Sequence, residues 1–305
     1  MSRSWMLLLC FAWACVGRGP IGVDDDDAGA DDDDALADDD DAVDDDDAAL
    51  RRCNGSTVLC DRPLTEVVLP GTHNSMSNAA DGWWVPNQNT GIEAQLADGI
   101  RGLLLDTHDY AGEPHLCHTN CLLGSRPLVD ALGGIDEFLR SNPDEVVAII
   151  FQDGISAEST ASVFEASGLI DHVYTHAGGA WPTLGEMIDA GTRLLVTAEF
   201  SGPPPAWYHH AWDLFSDSPY SFGSVDDFSC ELNRGAAGND LFLVNHWIGN
   251  PLSNESASRG ANAADVLRAR VAECEEGRGR LPTLLAVDHH DVGDLLEVVA
   301  ELNAR

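Results

Sequence analysis

The stretch "LPGTHNSM", Leu69 to Met76, follows the apolar pair Val67-Val68 and decides how the rest of the chain is read. A short β-branched run passing into Pro-Gly reads as a strand that ends in a turn, so His73 stands at the strand's carboxyl end. In α/β folds, open or closed, chemistry collects at that end.

The same pattern recurs on both sides of this strand. "EVVLPGTH" is followed by the helical "IEAQLADG", "RGLLLDTH" by "PLVDALGGIDEFLRSN", and "EVVAIIFQD" by "AESTASVFEASG". Further on, "TLGEMIDAG" leads into "RLLVTAEF", "DLFLVNHW" precedes "ADVLRARVAECEEG", and "TLLAVDHH" precedes "GDLLEVVAELNA". Near-continuous apolar strands are buried on both faces, which predicts a mostly parallel sheet. Six such units and a weaker one at "HVYTH" fit a (β/α) TIM-type barrel forming one catalytic domain over residues 51–305. No dinucleotide or phosphate-loop glycine pattern follows a strand, which disfavours the open α/β folds.

The residues before this domain are of two other kinds. Residues 1–20 hold the apolar "MLLLCFAWACV" and the A-x-A pattern Ala12-Trp13-Ala14, which reads as a signal peptide and implies export, secreted or at the cell surface. The apolar run is shorter than the roughly 20 residues a membrane span needs. Cys15 follows the A-x-A pattern where a lipoprotein carries its lipidated cysteine; the alternative is cleavage a few residues later, near Gly17 or Gly19. Residues 21–50 contain four tetra-aspartate blocks, which repel one another and predict an extended, disordered tether. They lack the glycine turn and the glutamate spacing of calcium loops.

The formal net charge is −36, and removing the sixteen tether aspartates leaves about −20 on the remainder, with no lysine anywhere. Such a field disfavours nucleic acid and opposes anionic membranes. A substrate phosphate must therefore be met locally.

Polar residues stand at one strand end after another: His73-Asn74, Asp106-Thr107-His108, Gln152-Asp153, Glu199, Asn245-His246-Trp247 and Asp288-His289-His290. Core packing gives no reason for this, whereas a barrel with its site at the carboxyl face does. After the second strand, "LCHTNC" places His118 between Cys117 and Cys121. The cluster has no second ligand pair at zinc spacing, so in an exported chain it reads as a disulfide bracing the His118 loop. Spacing alone pairs Cys53 with Cys60 and Cys230 with Cys274. Trp83-Trp84 either touches lipid or caps the barrel, and His209-His210 is expected in a surface loop.

"LPGTHNSM", "GIRGLLLDTHDY", "LCHTNC", "EVVAIIF" and "AVDHHDVGDL" together resemble the X domain of phosphatidylinositol-specific phospholipase C and its exported phosphodiesterase relatives. The resemblance runs from about Cys53 to the C-terminus and implies a distorted (β/α) barrel. It also implies a phosphoric diester hydrolase acting on a phospholipid or glycerophosphoinositol-like diester, with His73 as general base and His118 as general acid. Two imidazoles suit that division because their ordinary pKa lies near neutrality.

The resemblance further implies a counter-charge, either an arginine on the second strand or a calcium site. The chain departs from both patterns, with Leu104 and Asp106 at the relevant positions and Gln152 where a third-strand glutamate is expected. The expectation is a thinned Ca2+ site of Asn74 and Asp106, with Glu199, Asp153 or Asp288 to complete it. The expected headgroup contacts are Arg101, Glu199, Asn245, His246, Trp247 and Asp288. Arg101 matches an arginine of the family but stands early in its strand, where a structural role is also expected. The chain is read as a monomer with peripheral membrane contact. A metal-dependent phospholipase D or glycerophosphodiesterase, and a catalytically silent headgroup-binding surface module, are the competing readings.

Overall fold

The computed structural model describes residues 51–250 and 252–305; the expected signal peptide, Cys15 and the expected aspartate-rich tether lie outside the described residues. Eight strands form one hydrogen-bonded path. In chain order they are β1 (Leu69–Thr72), β2 (Gly102–Tyr110), β5 (Val147–Gly154), β6 (Val173–Tyr174), β7 (Leu194–Ala198), β9 (Phe215–Asp217), β10 (Leu241–His246) and β11 (Leu284–Val287). Across the sheet the order is β6-β7-β5-β2-β1-β11-β10-β9, and every pairing along it is parallel. The sheet curls into a distorted (β/α) barrel whose end strands, β6 and β9, do not pair with each other.

Three strands lie off the path. β3 (Glu113–Leu116) pairs antiparallel with β2 and with β4 (Arg126–Pro127), while β8 (His209–His210) pairs with β7. His209 is buried in that short strand, and its Nε2 accepts from the backbone N–H of His176, so the surface-loop expectation for this residue is corrected.

The helices are α1 (Ile92–Asp98), α2 (Leu128–Ser141), α3 (Ala157–Ser167), α4 (Leu184–Asp189), α5 (Ala211–Leu214), α6 (Glu255–Ala261), α7 (Ala264–Arg278) and α8 (Leu295–Asn303). In α2 the buried Leu128, Ala131, Leu132, Ile135 and Leu139 recur at helical spacing and form one stripe. The Ser156 side chain caps α3 by accepting from Ser159 N–H, and a full capping box of Thr183 and Glu186 starts α4.

Strand side chains alternate in direction, and this sorts the core into two layers. Leu103, Ile149, Val196, Val244 and Leu285 face outward and pack in one cluster with Leu132, Leu267 and Leu295 of the helices. Leu69, Ile150, Leu195, Leu243 and Leu284 face inward, in a second cluster with Leu59 and Leu64 of the segment before β1. The interior is tightest at Leu284. A Cβ on Gly71 or Gly102 would sit 2.6 or 2.0 Å from its Cδ1, so glycine is what lets β1 and β2 approach β11.

Candidate active site

Inward-facing positions one or two residues above the core layer become polar, and they line a cavity of about 210 Å³ at the carboxyl ends of the strands. His73 follows β1, Asp106 lies on β2, Gln152 on β5, Glu199 after β7, and Asn245 and Trp247 at the end of β10. Asn74 and His118 complete the wall with Arg234 and Tyr220.

His73 is held on three sides. Its Nδ1 lies 2.9 Å from Oδ1 of the buried Asp288, which follows β11. Its ring stacks on Trp247, with centroids 3.8 Å apart and planes 4° from parallel. Its backbone carbonyl accepts from Gln88 Nε2 at 2.9 Å. Asn87 donates from Nδ2 to the same Asp288 oxygen at 3.1 Å and so orients the carboxylate in turn. With Nδ1 committed to Asp288, Nε2 is the nitrogen left for chemistry.

His118 stands exposed at the rim of the cavity, on the loop closed by the Cys117–Cys121 disulfide. Partial burial of its ring, together with the nearby charge of His73, holds its pKa below the ordinary histidine value, against an opposing pull from Asp288. Cys53–Cys60 and Cys230–Cys274 also form, as their spacing led us to expect. Trp83 is buried, and Gly124, at φ 157°, leaves room for its ring where a Cβ would meet it at 2.3 Å. Trp84 beside it is 71% exposed, so one tryptophan caps the fold and the other faces solvent.

Glu199 pairs with Arg234 at 2.9 Å, and Arg234 pairs again with the fully buried Asp217 at 2.6 Å. The guanidinium also stacks on Trp212 and Tyr220, at 4.0 and 4.8 Å from their centroids. Burial pushes Glu199 up, with Arg234 pulling the other way. Asn245 donates to Asp217 at 3.1 Å and to the Ser218 carbonyl at 2.6 Å. Arg234 and Tyr220 escaped sequence reasoning because they sit in the irregular segment between β9 and β10, and Asp217 because β9, only three residues long, shows no apolar run to mark it as a strand. The Cys230–Cys274 disulfide ties that segment to α7.

Four expectations are corrected. Arg101 lies at the amino end of β2, where it pairs with Glu145 at 2.7 Å and donates to the carbonyls of Leu96 and Ile100; it does not reach the cavity. His246 alternates outward between Asn245 and Trp247, is fully buried, and contacts the Ala261 carbonyl through Nε2 at 2.8 Å. Asp153 faces outward for the same reason and accepts from Phe200 N–H at 2.8 Å. Asp288 is occupied in holding His73 rather than in lining the cavity.

A calcium ion takes about six to eight oxygen ligands. The side-chain oxygens lining the cavity are those of Asn74, Asp106, Gln152, Glu199, Tyr220 and Asn245; only two of these are carboxylates, and Oε1 of Glu199 is already engaged by Arg234. Asp106 is pushed up to about 7, mainly by burial, with His73 pulling it down and Glu199 adding to the rise. Among the described residues, no group of three His, Cys, Asp or Glu side chains could hold a metal ion. The donor set does not fit a calcium cage, and no step below runs through one.

A second cavity of about 290 Å³ shares His73, His118, Tyr220 and Trp247 with the first and is otherwise lined by Val85, Asn87, Leu252 and small residues. Trp84, Leu122 and Leu252 are strongly exposed, and Trp84 N–H donates to the Leu123 carbonyl, which joins the first two into one surface.

Comparison with known proteins agrees with this architecture. The family model described as PI-PLC X 1 matches residues 59–303. A PI-PLC X domain-containing protein 1 of Arthroderma benhamiae is 30% identical, over 82% of this chain and 89% of its own length. An uncharacterized secreted protein of the same organism is 28% identical over 83% of this chain, which spans 64% of that protein's length. Among solved structures, the phosphatidylinositol-specific phospholipase C of Listeria monocytogenes superimposes with a TM-score of 0.54 at 17% identity, covering 81% of this chain and 97% of that one. By the extent of the family match and the identity to these relatives, the chain belongs to the PI-PLC X domain family.

Proposed function

We propose that the chain is an exported phosphodiesterase of the phospholipase C type, cleaving a phospholipid or related diester with a polyhydroxylated headgroup. The observation that carries this reading is the pairing of two imidazoles on one polar cavity, with Nδ1 of the inner one fixed by a buried carboxylate. His73 Nε2 takes the proton from a headgroup hydroxyl, whose oxygen attacks phosphorus. The bond to the leaving alcohol breaks, and that oxygen takes a proton from His118, giving a cyclic phosphodiester and a free alcohol. Asp288 stabilises the imidazolium formed on His73.

The headgroup occupies the polar cavity, where Glu199, Arg234, Asn245, Asp106 and Gln152 offer donors and acceptors to hydroxyls. Arg234 adds the fixed positive charge of that wall. The leaving alcohol occupies the second cavity, beside the exposed Trp84 and Leu122, which rest on a lipid surface. Neutral or zwitterionic surfaces suit the strongly acidic chain.

The test is turnover of diesters with different headgroups, measured with chelator and with added calcium. Wild type is expected to turn over in chelator, and His73→Ala and His118→Ala to lose on the order of a hundredfold or more each. Turnover only with calcium would restore Asn74 and Asp106 as ligands. Headgroup binding without turnover, unchanged by either substitution, would identify a silent binding module.

A further inference from the structure

We propose that Trp247 is a positioning residue for the base: its indole sets the plane of the His73 ring and so aims Nε2 at the headgroup hydroxyl. The inference rests on the two-histidine reading above, and assigns Trp247 a role distinct from simple contact with the headgroup.

The Cβ–Cγ bond and the hydrogen bond from Nδ1 to Asp288 hold one edge of the imidazole but leave coupled χ1 and χ2 motions that tilt its face. A second constraint, normal to the ring, is needed to fix the direction of Nε2. The parallel stack at 3.8 Å and 4° is such a constraint. Trp247 is itself well placed to act as a platform, being 5% exposed and packed in the inner core cluster. It sits one residue past β10, whose register against β11 pairs His246 with Val287, immediately before Asp288. The two restraints on His73 therefore come from adjacent strand ends of one rigid sheet and cannot drift apart independently. Gly249 follows two residues later, and a Cβ there would lie 3.4 Å from Cδ1 of the indole, so the turn after β10 passes close to the ring.

Aromatic stacks favour one geometry by a factor of several, and small losses of alignment at a reacting atom carry larger rate penalties. Trp247→Leu should therefore reduce kcat about tenfold or more with KM changed by less than about threefold. Trp247→Phe, which keeps a face for the imidazole, should recover most of the loss.

The experiment combines these kinetics with two readouts that do not need turnover. One is the His73 ring proton shift in the NMR spectrum of the substrate-free protein. It should lie upfield in wild type from the indole ring current and move downfield in Trp247→Leu. The other is thermal unfolding of each variant, which shows whether a loss of rate is a loss of fold. Should Trp247→Leu fail to fold, Trp247→Phe and Trp247→His carry the comparison through the same shift and the same kcat.

A raised KM at unchanged kcat would overturn the proposal and make Trp247 a headgroup contact. So would an unshifted His73 resonance in the leucine variant. Loss of activity in Trp247→Leu with no effect of His73→Ala would instead sink the two-histidine reading, leaving the stack measurable by its ring-current shift.

Discussion

His73 and Asp288 are 215 residues apart in the chain, yet Nδ1 and Oδ1 meet at 2.9 Å, between the ends of two adjacent parallel strands. Contact with Asp288 defines which nitrogen of His73 faces the cavity and supplies the charge that an imidazolium there would need.

Asp288→Asn keeps the shape of the side chain but removes that charge. Turnover should fall by at least about a hundredfold, as for other losses of a base's support, while thermal unfolding changes little. A variant with wild-type kcat would show that the Asp288 charge does not support a base at His73.

His118 must be protonated to act as the acid, and burial with His73 nearby lowers its pKa in the free protein. Protonated His118 is then lost as pH rises through a value below the ordinary 6.5. The alkaline limb of kcat/KM, which reports the free enzyme, should fall there. A bound phosphate anion favours the imidazolium, so the corresponding limb of kcat should lie at higher pH. Coincident limbs in the two profiles would argue against His118 as the acid.

Trp84 and Leu122 are 71% and 79% exposed. If they enter a lipid surface, replacing each by alanine should weaken binding to zwitterionic vesicles by roughly tenfold or more, since burying a large apolar side chain contributes about 1.5 to 3 kcal/mol. Turnover of a short-chain soluble diester and the unfolding midpoint should stay unchanged. Equal vesicle binding by wild type and the double variant would place the contact elsewhere.

His246 is fully buried, and desolvation lowers its pKa to about 4 from 6.5. The unfolded chain then binds a proton that the folded chain refuses, so stability is full above about 6.5 and is lost as pH falls from there toward 4. The loss approaches roughly 3 kcal/mol at about 1.4 kcal/mol per pH unit. Asp106, pushed up to about 7, acts in the opposite direction over the same range. The effect of His246 is therefore read as the difference between wild type and His246→Gln in denaturant titrations from pH 7 to 4. That difference should shrink as pH falls, and a constant gap would show that His246 titrates in the fold as it does in the unfolded chain.

The strands around Ile149, Val196 and Leu285 were legible because near-continuous apolar runs mark strands buried on both faces. The helices were legible because stripes such as Leu128, Leu132, Ile135 and Leu139 keep helical spacing. His73 and His118 were legible because each sits in a local motif, one at a strand end and one between paired cysteines. Strand-end polarity also found Asp106, Glu199 and Asn245. It overreached at His246 and Asp153, because it marks the end of a strand without saying which side of the sheet a residue faces.

Sequence alone thus determined the class of fold and the disulfide pairs, which rest on periodicity and short-range spacing, and it marked His73 and His118, through local motifs and a family resemblance, as residues that the fold brings to one cavity. Tertiary structure decided that Asp288 and Trp247 hold His73, that Arg234 joins Glu199 in the cavity, and that Arg101 belongs to the far end of the barrel. Those relationships depend on strand register and on inward or outward direction. Both are fixed by contacts between residues distant in the chain, which no local pattern encodes.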